Sequence, residues 1–228
     1  MLPVKIAGLG WYLPSRRVTN AQLEEQFGIS AAWIERVTGV CERRYVTTET
    51  TLSMAAVAAQ EALANAHLHP KDLDAIICAS SAPQQAIPCT AAFLQRAISA
   101  PDGASACFDL NATCLSFLFA LQTAAHLIAA GVYSTVLLCS SEPASLAINP
   151  AERESVALFG DAAAAAILTR SSTDEENRVW HASFETHSSG AELTQILGGG
   201  TLHAPNDSAT TAEMNLFSMD GPAVFKQG

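Results

Sequence analysis

Cys114 lies between an apolar run, Ala104-Ser-Ala-Cys-Phe-Asp-Leu110, and a long helical pattern that closes at Gly131, with the short turn Asn111-Ala-Thr113 just before it. A thiol at a strand-to-helix corner sits near unpaired N–H groups and the positive end of the helix macrodipole, both of which favour a thiolate. Ala112, Thr113 and Ser116 are small and leave room for a substrate to approach. The helix behind carries Leu115, Phe117, Leu118, Leu121 and Leu127, apolar nearly all round, and is expected to be central and buried. Free cysteine also packs well in ordinary cores, so on these residues alone a structural role for Cys114 stays open.

A reactive thiolate needs a proton acceptor and an oxyanion site. His67 and His69 fall at a helix end near Pro70, His126 falls mid-helix, and His181, His187 and His203 lie in the polar last quarter. None has the strand-end setting of a base facing Cys114. A helix does not put residues two apart on one face, so His67 and His69 make a poor metal pair. The six cysteines, Cys41, Cys78, Cys89, Cys107, Cys114 and Cys139, show no pair two to four residues apart, so neither a zinc knuckle nor a redox pair is suggested and most are expected as buried thiols.

Twenty-two acidic against twelve basic residues give a net charge of −10, which argues against a nucleic-acid surface. Arg16, Arg17, Arg36, Arg43 and Arg44 nonetheless concentrate five of those basic residues in one stretch, suiting a phosphorylated ligand or an acidic partner; the alternative is a merely solvated surface. No apolar run is long enough to span a bilayer, and the start, Met-Leu-Pro-Val-Lys-Ile-Ala-Gly, lacks a secretory pattern. The reading is a cytoplasmic protein with no metal and no membrane or nucleic-acid partner.

The elements that must hold Cys114 follow from periodicity. Val4–Leu9, Ala75–Ala79, Thr135–Cys139 and Ala162–Leu168 read as strands, Val179–His187 and Met214–Met219 as further ones. Asn20 is expected to cap a helix through Phe27 closed by Gly28, and Ser30 one through Val37 closed by Gly39. Thr51–Ala66 has its apolar residues on one face, Pro88 is expected in the first turn of a helix through Ser99, and Asp220-Gly-Pro opens a last helix. Continuous apolar strands alternating with helices indicate a parallel sheet covered on both faces, in the order βαβαβ.

Trp33-Ile-Glu-Arg-Val-Thr-Gly-Val40 with Arg43-Arg44, Asp109-Leu-Asn-Ala-Thr-Cys-Leu-Ser-Phe117, Ser140-Ser-Glu142, Arg153 with Phe159-Gly-Asp161, and Met219-Asp-Gly-Pro-Ala-Val-Phe-Lys226, in this order, resemble β-ketoacyl-acyl-carrier-protein synthase III of the thiolase superfamily. The resemblance covers essentially the whole chain. It implies an α/β, thiolase-like fold: a layered α-β-α first half with a mixed five-stranded sheet over 1–170, an excursion over 171–212 at the active-site entrance, and the start of a second half over 213–228, that second half being largely absent. It implies a homodimer that needs no cofactor and takes acyl-CoA and malonyl-acyl carrier protein as substrates. Cys114 would be the acylated nucleophile, its N–H half of an oxyanion hole, in a decarboxylative Claisen condensation of fatty-acid or related polyketide biosynthesis.

On the same resemblance, Trp33 would stack on the CoA adenine with Arg153 near that end, and Leu158, Gly221 and Phe225 would line the pantetheine channel. Ile87 falls where the family often has a phenylalanine closing the partner's acyl pocket, which leaves room for primers longer than acetyl. Three features depart from the family. Val37 stands where the arginine before Thr38-Gly39 is usual and the arginine is one earlier, at Arg36; Arg36 is carried as a substrate-binding residue, its direction relative to the CoA phosphate altered by the roughly 100° that one residue turns on a helix. Asp161-Ala162 replaces aspartate-glycine, a small packing change. The family's catalytic histidine and asparagine and its second oxyanion glycine belong to the second half, so the chain as given is expected not to condense alone and to expose apolar surface. Two other readings are acyl transfer from Cys114 to a different acceptor and a non-catalytic scaffold half.

Overall fold

The computed structural model describes residues 1–172 and 175–227. In chain order the elements are β1 (Val4–Tyr12), β2 (Arg16–Thr19), α1 (Asn20–Phe27), α2 (Ala31–Thr38), β3 (Glu42–Tyr45), α3 (Thr51–Asn65), β4 (Ala75–Cys78), α4 (Thr90–Ala97), β5 (Ala106–Asp109), α5 (Ser116–Ala129), β6 (Thr135–Glu142), α6 (Arg153–Leu158), β7 (Ala162–Arg170), β8 (Thr194–Gln195), β9 (Ser218–Met219) and α7 (Gly221–Gln227). By their contacts they divide into two units. One comprises Met1–Pro14, Val46–Pro143 and Asp161–Ser183; the other comprises Ser15–Tyr45, Ala144–Gly160 and the chain from Phe184 onward.

The first unit is built on a five-stranded sheet in the order β1-β7-β6-β4-β5. The parallel pairing read from the strand-helix alternation holds for β4 with β5 and β6; β6–β7 and β7–β1 are antiparallel, so the sheet is mixed, as the family resemblance implies. Every residue of β4 is buried, as its continuous apolar run requires for a central strand covered on both faces. One face packs Ile76, Cys78, Leu137, Cys139, Ala165 and Ile167 under α3 and α4. The other packs Ala75, Ile77, Val136, Leu138 and Leu168 under Ala120, Ala124, Ala125 and Ile128 of α5. The result is the expected α-β-α layering.

Close approach explains the composition of α3. Its sheet-facing positions are Ala55, Ala58, Ala59 and Ala62, all buried, and β1 meets them with Gly8 and Gly10. A Cβ on Gly10 would lie 2.1 Å from the Ala58 carbonyl oxygen, and one on Gly8 2.4 Å from that of Ala62. The turn before α3 is held by Glu49. Its carboxylate accepts the N–H groups of Thr47 and Thr48 at 2.7 and 3.0 Å, and the Tyr12 hydroxyl at 3.2 Å. The backbone donors, Thr47 first, hold the Glu49 carboxyl down at about 2 from an ordinary 4.5. A depressed folded-state value makes this contribution to stability fully present above about pH 4.5 and loses it as pH falls through about 2. Urea melts of Glu49→Gln against the parent should therefore show a gap in midpoint at pH 6 that closes by pH 2.

The second unit holds the antiparallel pair β2–β3, with Val18, Leu23, Ile34, Tyr45, Val156 and Ala157 buried among its strands and α1, α2 and α6. Gly28 and Gly39 close α1 and α2 in the left-handed region, at φ 71° and 70°, as predicted.

Several expectations are corrected. Thr19, not Asn20, caps α1, through a capping box with Gln22; Asn20 is buried and its amide donates to the Val40 carbonyl at 2.7 Å. Cys89 is still extended, so α4 begins at Thr90 rather than at Pro88. Val179–His187 forms no strand beyond a single bridge from Val179 to Leu2, because the rest of the stretch has no ladder to join and is mostly exposed. Of Met214–Met219 only Ser218–Met219 pairs as a strand, with β8, after a 3-10 turn over Glu213–Asn215. Helix α5 is not buried all round: Leu115, in the turn before it, is 44% exposed and Leu118 on α5 is 50% exposed. Its inward line is Ser116, Ala120, Ala124, Ala125 and Ile128, because the sheet covers only one side. Ile6, Leu9 and Trp11 of β1 are exposed too. Among the described residues no helix is long and apolar enough to cross a membrane.

Candidate active site

The end of β5 is tied down before the chain turns. Asp109 accepts the first N–H groups of α4, from Thr90 at 2.6 Å and Ala91 at 2.8 Å, and the next residue, Leu110, donates to the Cys78 carbonyl at 2.8 Å. Asn111 Oδ1 then accepts the Thr113 N–H at 2.8 Å, an Asx turn. Thr113 is driven to φ 52°, a left-handed conformation that costs a β-branched residue about 1–3 kcal/mol. Cys114 follows in a 3-10 turn over Thr113–Leu115, and α5 starts two residues later, at Ser116. The thiol is thus carried just ahead of the helix, not on its first turn, and Cys114 is exposed.

The other cysteines divide by environment. Cys78 and Cys139 are buried, Cys89 and Cys107 half-buried, Cys41 exposed, so fewer are buried than expected. Burial pushes the Cys139 thiol up to about 12 and Cys107 to about 11, and raises Cys78 as well. Brief iodoacetamide treatment of the native protein should label Cys41 and Cys114, leaving Cys78 and Cys139 unmodified until denaturant is added. Peptide mapping reads this directly, and labelling of Cys139 in the native state would contradict the buried strand β6.

Ile87 stands in the loop before α4 and is 82% exposed. Trp33, Arg36, Arg153, Leu158, Gly221 and Phe225 belong to the second unit. There the structure brings Trp33 and Arg153 together: the guanidinium lies over the indole ring, 4.7 Å from its centroid, and its Nε donates to Glu154 at 3.0 Å. Gly221 opens α7, and a Cβ built there would meet Glu154 Cγ at 3.6 Å. Arg36 and Leu158 are exposed on α2 and α6. Phe225, on α7, is 88% exposed.

Of the five-arginine stretch one member, Arg43, is buried and structural, while Arg16, Arg17 and Arg36 are exposed and Arg44 half-buried. Arg43 is 6% exposed and bonds Asn20 Oδ1 at 2.9 Å and the Ala157 carbonyl at 3.4 Å. Arg17 pairs with Glu42, and Arg16 lies over the Tyr45 ring. A cavity of about 340 Å³ is lined by Arg16 of that stretch with Val18, Gln22, Glu25 and Gln26, and includes neither Cys114 nor Trp33 and Arg153. His126 is exposed on α5 and His67 closes the turn after α3. Among the described residues no three His, Cys, Asp or Glu side chains gather to hold a metal ion.

Two features of the elbow lie beyond sequence pattern. Thr113 has no residue type that announces a positive φ. Ser116, read from sequence only as small, is buried and bonded to the turn on both sides of Thr113.

Residues 108–188, which contain this elbow, match the sequence family described as 3-oxoacyl-[acyl-carrier-protein (ACP)] synthase III. The chain is 34% identical over 226 residues to the β-ketoacyl-[acyl-carrier-protein] synthase III of Clostridium acetobutylicum, covering 99% of this chain and 68% of that protein. It is 35% identical over 224 residues to the 3-oxopimeloyl-[acyl-carrier-protein] synthase of Brucella abortus, covering 98% and 67%. The crystal structure of 3-oxoacyl-[acyl-carrier-protein] synthase III from Aquifex aeolicus superposes with a TM-score of 0.85 at 35% identity, over 98% of this chain and 67% of that one. The chain therefore spans about two thirds of the length of these relatives, which bears out the expectation of a largely absent second half only in part.

Proposed function

Because the chain belongs to the β-ketoacyl-acyl-carrier-protein synthase III family, we propose that Cys114 takes the acyl group of an acyl-CoA and gives it up in a decarboxylative condensation with malonyl-acyl carrier protein. The chain is an acyltransferase of fatty-acid or related polyketide biosynthesis. The thiolate attacks the thioester carbonyl, a Cys114 S–C bond forms, and the CoA thiolate leaves and takes a proton. Loss of carbon dioxide from the malonyl thioester then supplies a carbanion. Its attack on the acyl-cysteine forms the new carbon–carbon bond, releases the Cys114 thiolate and leaves a β-ketoacyl thioester on the carrier.

The observation that carries this reading is the exposed Cys114 at the strand-to-helix elbow. In the second unit, the Trp33 indole with Arg153 on its face is an aromatic and cationic platform suited to an adenine and its phosphates, with Leu158, Gly221 and Phe225 assigned to the pantetheine arm. Arg36, exposed on α2 in the same unit, is assigned to the ligand as a further substrate-binding residue. The protein works in the cytoplasm as a homodimer, each Ile87 reaching toward the partner's acyl pocket.

Incubation with acetyl-, butyryl- or octanoyl-CoA, read by intact mass, tests both chemistry and chain length. The expected result is a thioester adduct on Cys114 that forms with octanoyl-CoA at least as fast as with acetyl-CoA, and an Ile87→Phe variant that shifts the preference to acetyl. A parent preference for acetyl overturns the role given to Ile87. Absence of any adduct favours a non-catalytic scaffold, and in a protein that also carries the family's second half an adduct without malonyl decarboxylation favours a different acceptor.

A further inference from the structure

We propose that Ser116 is a positioning residue for Cys114, its buried hydroxyl fixing the peptide plane that presents the nucleophile. Ser116 is the first residue of α5 and 2% exposed. Its Oγ accepts the Ala112 N–H at 2.9 Å and donates to the Thr113 carbonyl at 2.6 Å. That carbonyl and the Cys114 N–H belong to one peptide unit, planar and trans, in which the two point in opposite directions. Pinning the Thr113 oxygen therefore pins the direction of the Cys114 N–H and, through it, the bond that carries the thiol.

The turn needs such a latch. Thr113 stands at φ 52°, a conformation that costs a residue with a Cβ, and its own hydroxyl donates only backwards, to the Ala112 carbonyl at 2.8 Å. Asn111 holds the N–H side of Thr113 at 2.8 Å; Ser116 holds its carbonyl side and, through Ala112, the residue before it. Removal of Oγ leaves the Thr113 oxygen with only the Ser116 N–H and takes away the partner of the Ala112 N–H. Thr113 is then free to relax toward negative φ, rotating the Thr113–Cys114 peptide.

Two rates at Cys114 test this: single-turnover acylation by acyl-CoA, which rests on the function proposed above, and alkylation by iodoacetamide, which does not. Cys41, exposed and in the other unit, is the internal reference. Ser116→Ala is expected to slow both Cys114 rates by about tenfold or more, as small misplacements of a reacting group do, with Cys41 alkylation unchanged. Glycine adopts φ 52° without penalty, so adding Thr113→Gly to Ser116→Ala should recover part of the loss. If the alanine variant does not fold, Ser116→Gly and Ser116→Thr replace it, differing in whether a hydroxyl is kept: slow and parent-like rates are expected in turn.

Parent-like Cys114 rates in a folded Ser116→Ala protein overturn the proposal, as does equal slowing of Cys41. So do equal rates in the glycine and threonine variants. A parent protein alkylated at Cys114 but never acylated overturns the proposed function instead, and the alkylation ratio alone then decides the role of Ser116.

Discussion

Replacing Cys114 with alanine is expected to abolish acyl transfer from acyl-CoA to the protein, the acyl adduct disappearing altogether, because no other group at the elbow can form the thioester. Cys114 is exposed, and an exposed side chain changed to alanine alters stability by only about 0.5 kcal/mol. Loss of the adduct should therefore come with an unchanged melting temperature, which separates a missing nucleophile from a damaged fold. Cys41→Ala, at the other exposed cysteine, should keep the adduct in full. Intact mass after incubation with acyl-CoA reads all three proteins, and an adduct persisting in Cys114→Ala would move the nucleophile elsewhere.

What could be read in advance was whatever depends on neighbours in sequence. Gly28 and Gly39 announce the ends of α1 and α2 because only glycine takes φ near 70° freely. The apolar runs of β4 and β6 announce a covered sheet, and the strand-turn-helix order places Cys114. Hidden features depend on partners far along the chain or on backbone angles. Arg43 looks like a surface charge until its partners, Asn20 and the Ala157 carbonyl, 23 and 114 residues away, enclose it. The exposed side of α5 could not be told from its buried side, since Leu118 and Ile128 are equally apolar and only the sheet decides between them. At the elbow the type of Thr113 conceals its φ, and that of Ser116 its two bonds.

Gly10→Ala is expected to be the most damaging single methyl group that can be added to the first unit. β1 is the edge strand next to β7, and α3 crosses it with no side chain between the two backbones at Gly10. The new Cβ would lie 2.1 Å from the Ala58 carbonyl oxygen, 2.4 Å from the Ala62 nitrogen and 2.8 Å from Glu61 Cβ. The first two are backbone atoms of a helix, so no rotamer change relieves the overlap; α3 must lift away from β1. That movement opens the alanine seam of Ala58 and Ala62, both fully buried, and strains the bond from the Trp11 N–H to Glu61, 2.7 Å long. Overpacking at a site that cannot yield costs about 3–4 kcal/mol, a fall of about 10 °C in melting temperature for a chain of this size. Leu9→Ala, one residue earlier but exposed on the opposite face of β1, should cost less than about 1 kcal/mol. Thermal melts of the two variants side by side decide the matter, and a Gly10→Ala protein that melts with its parent would mean that α3 does not lie directly on β1.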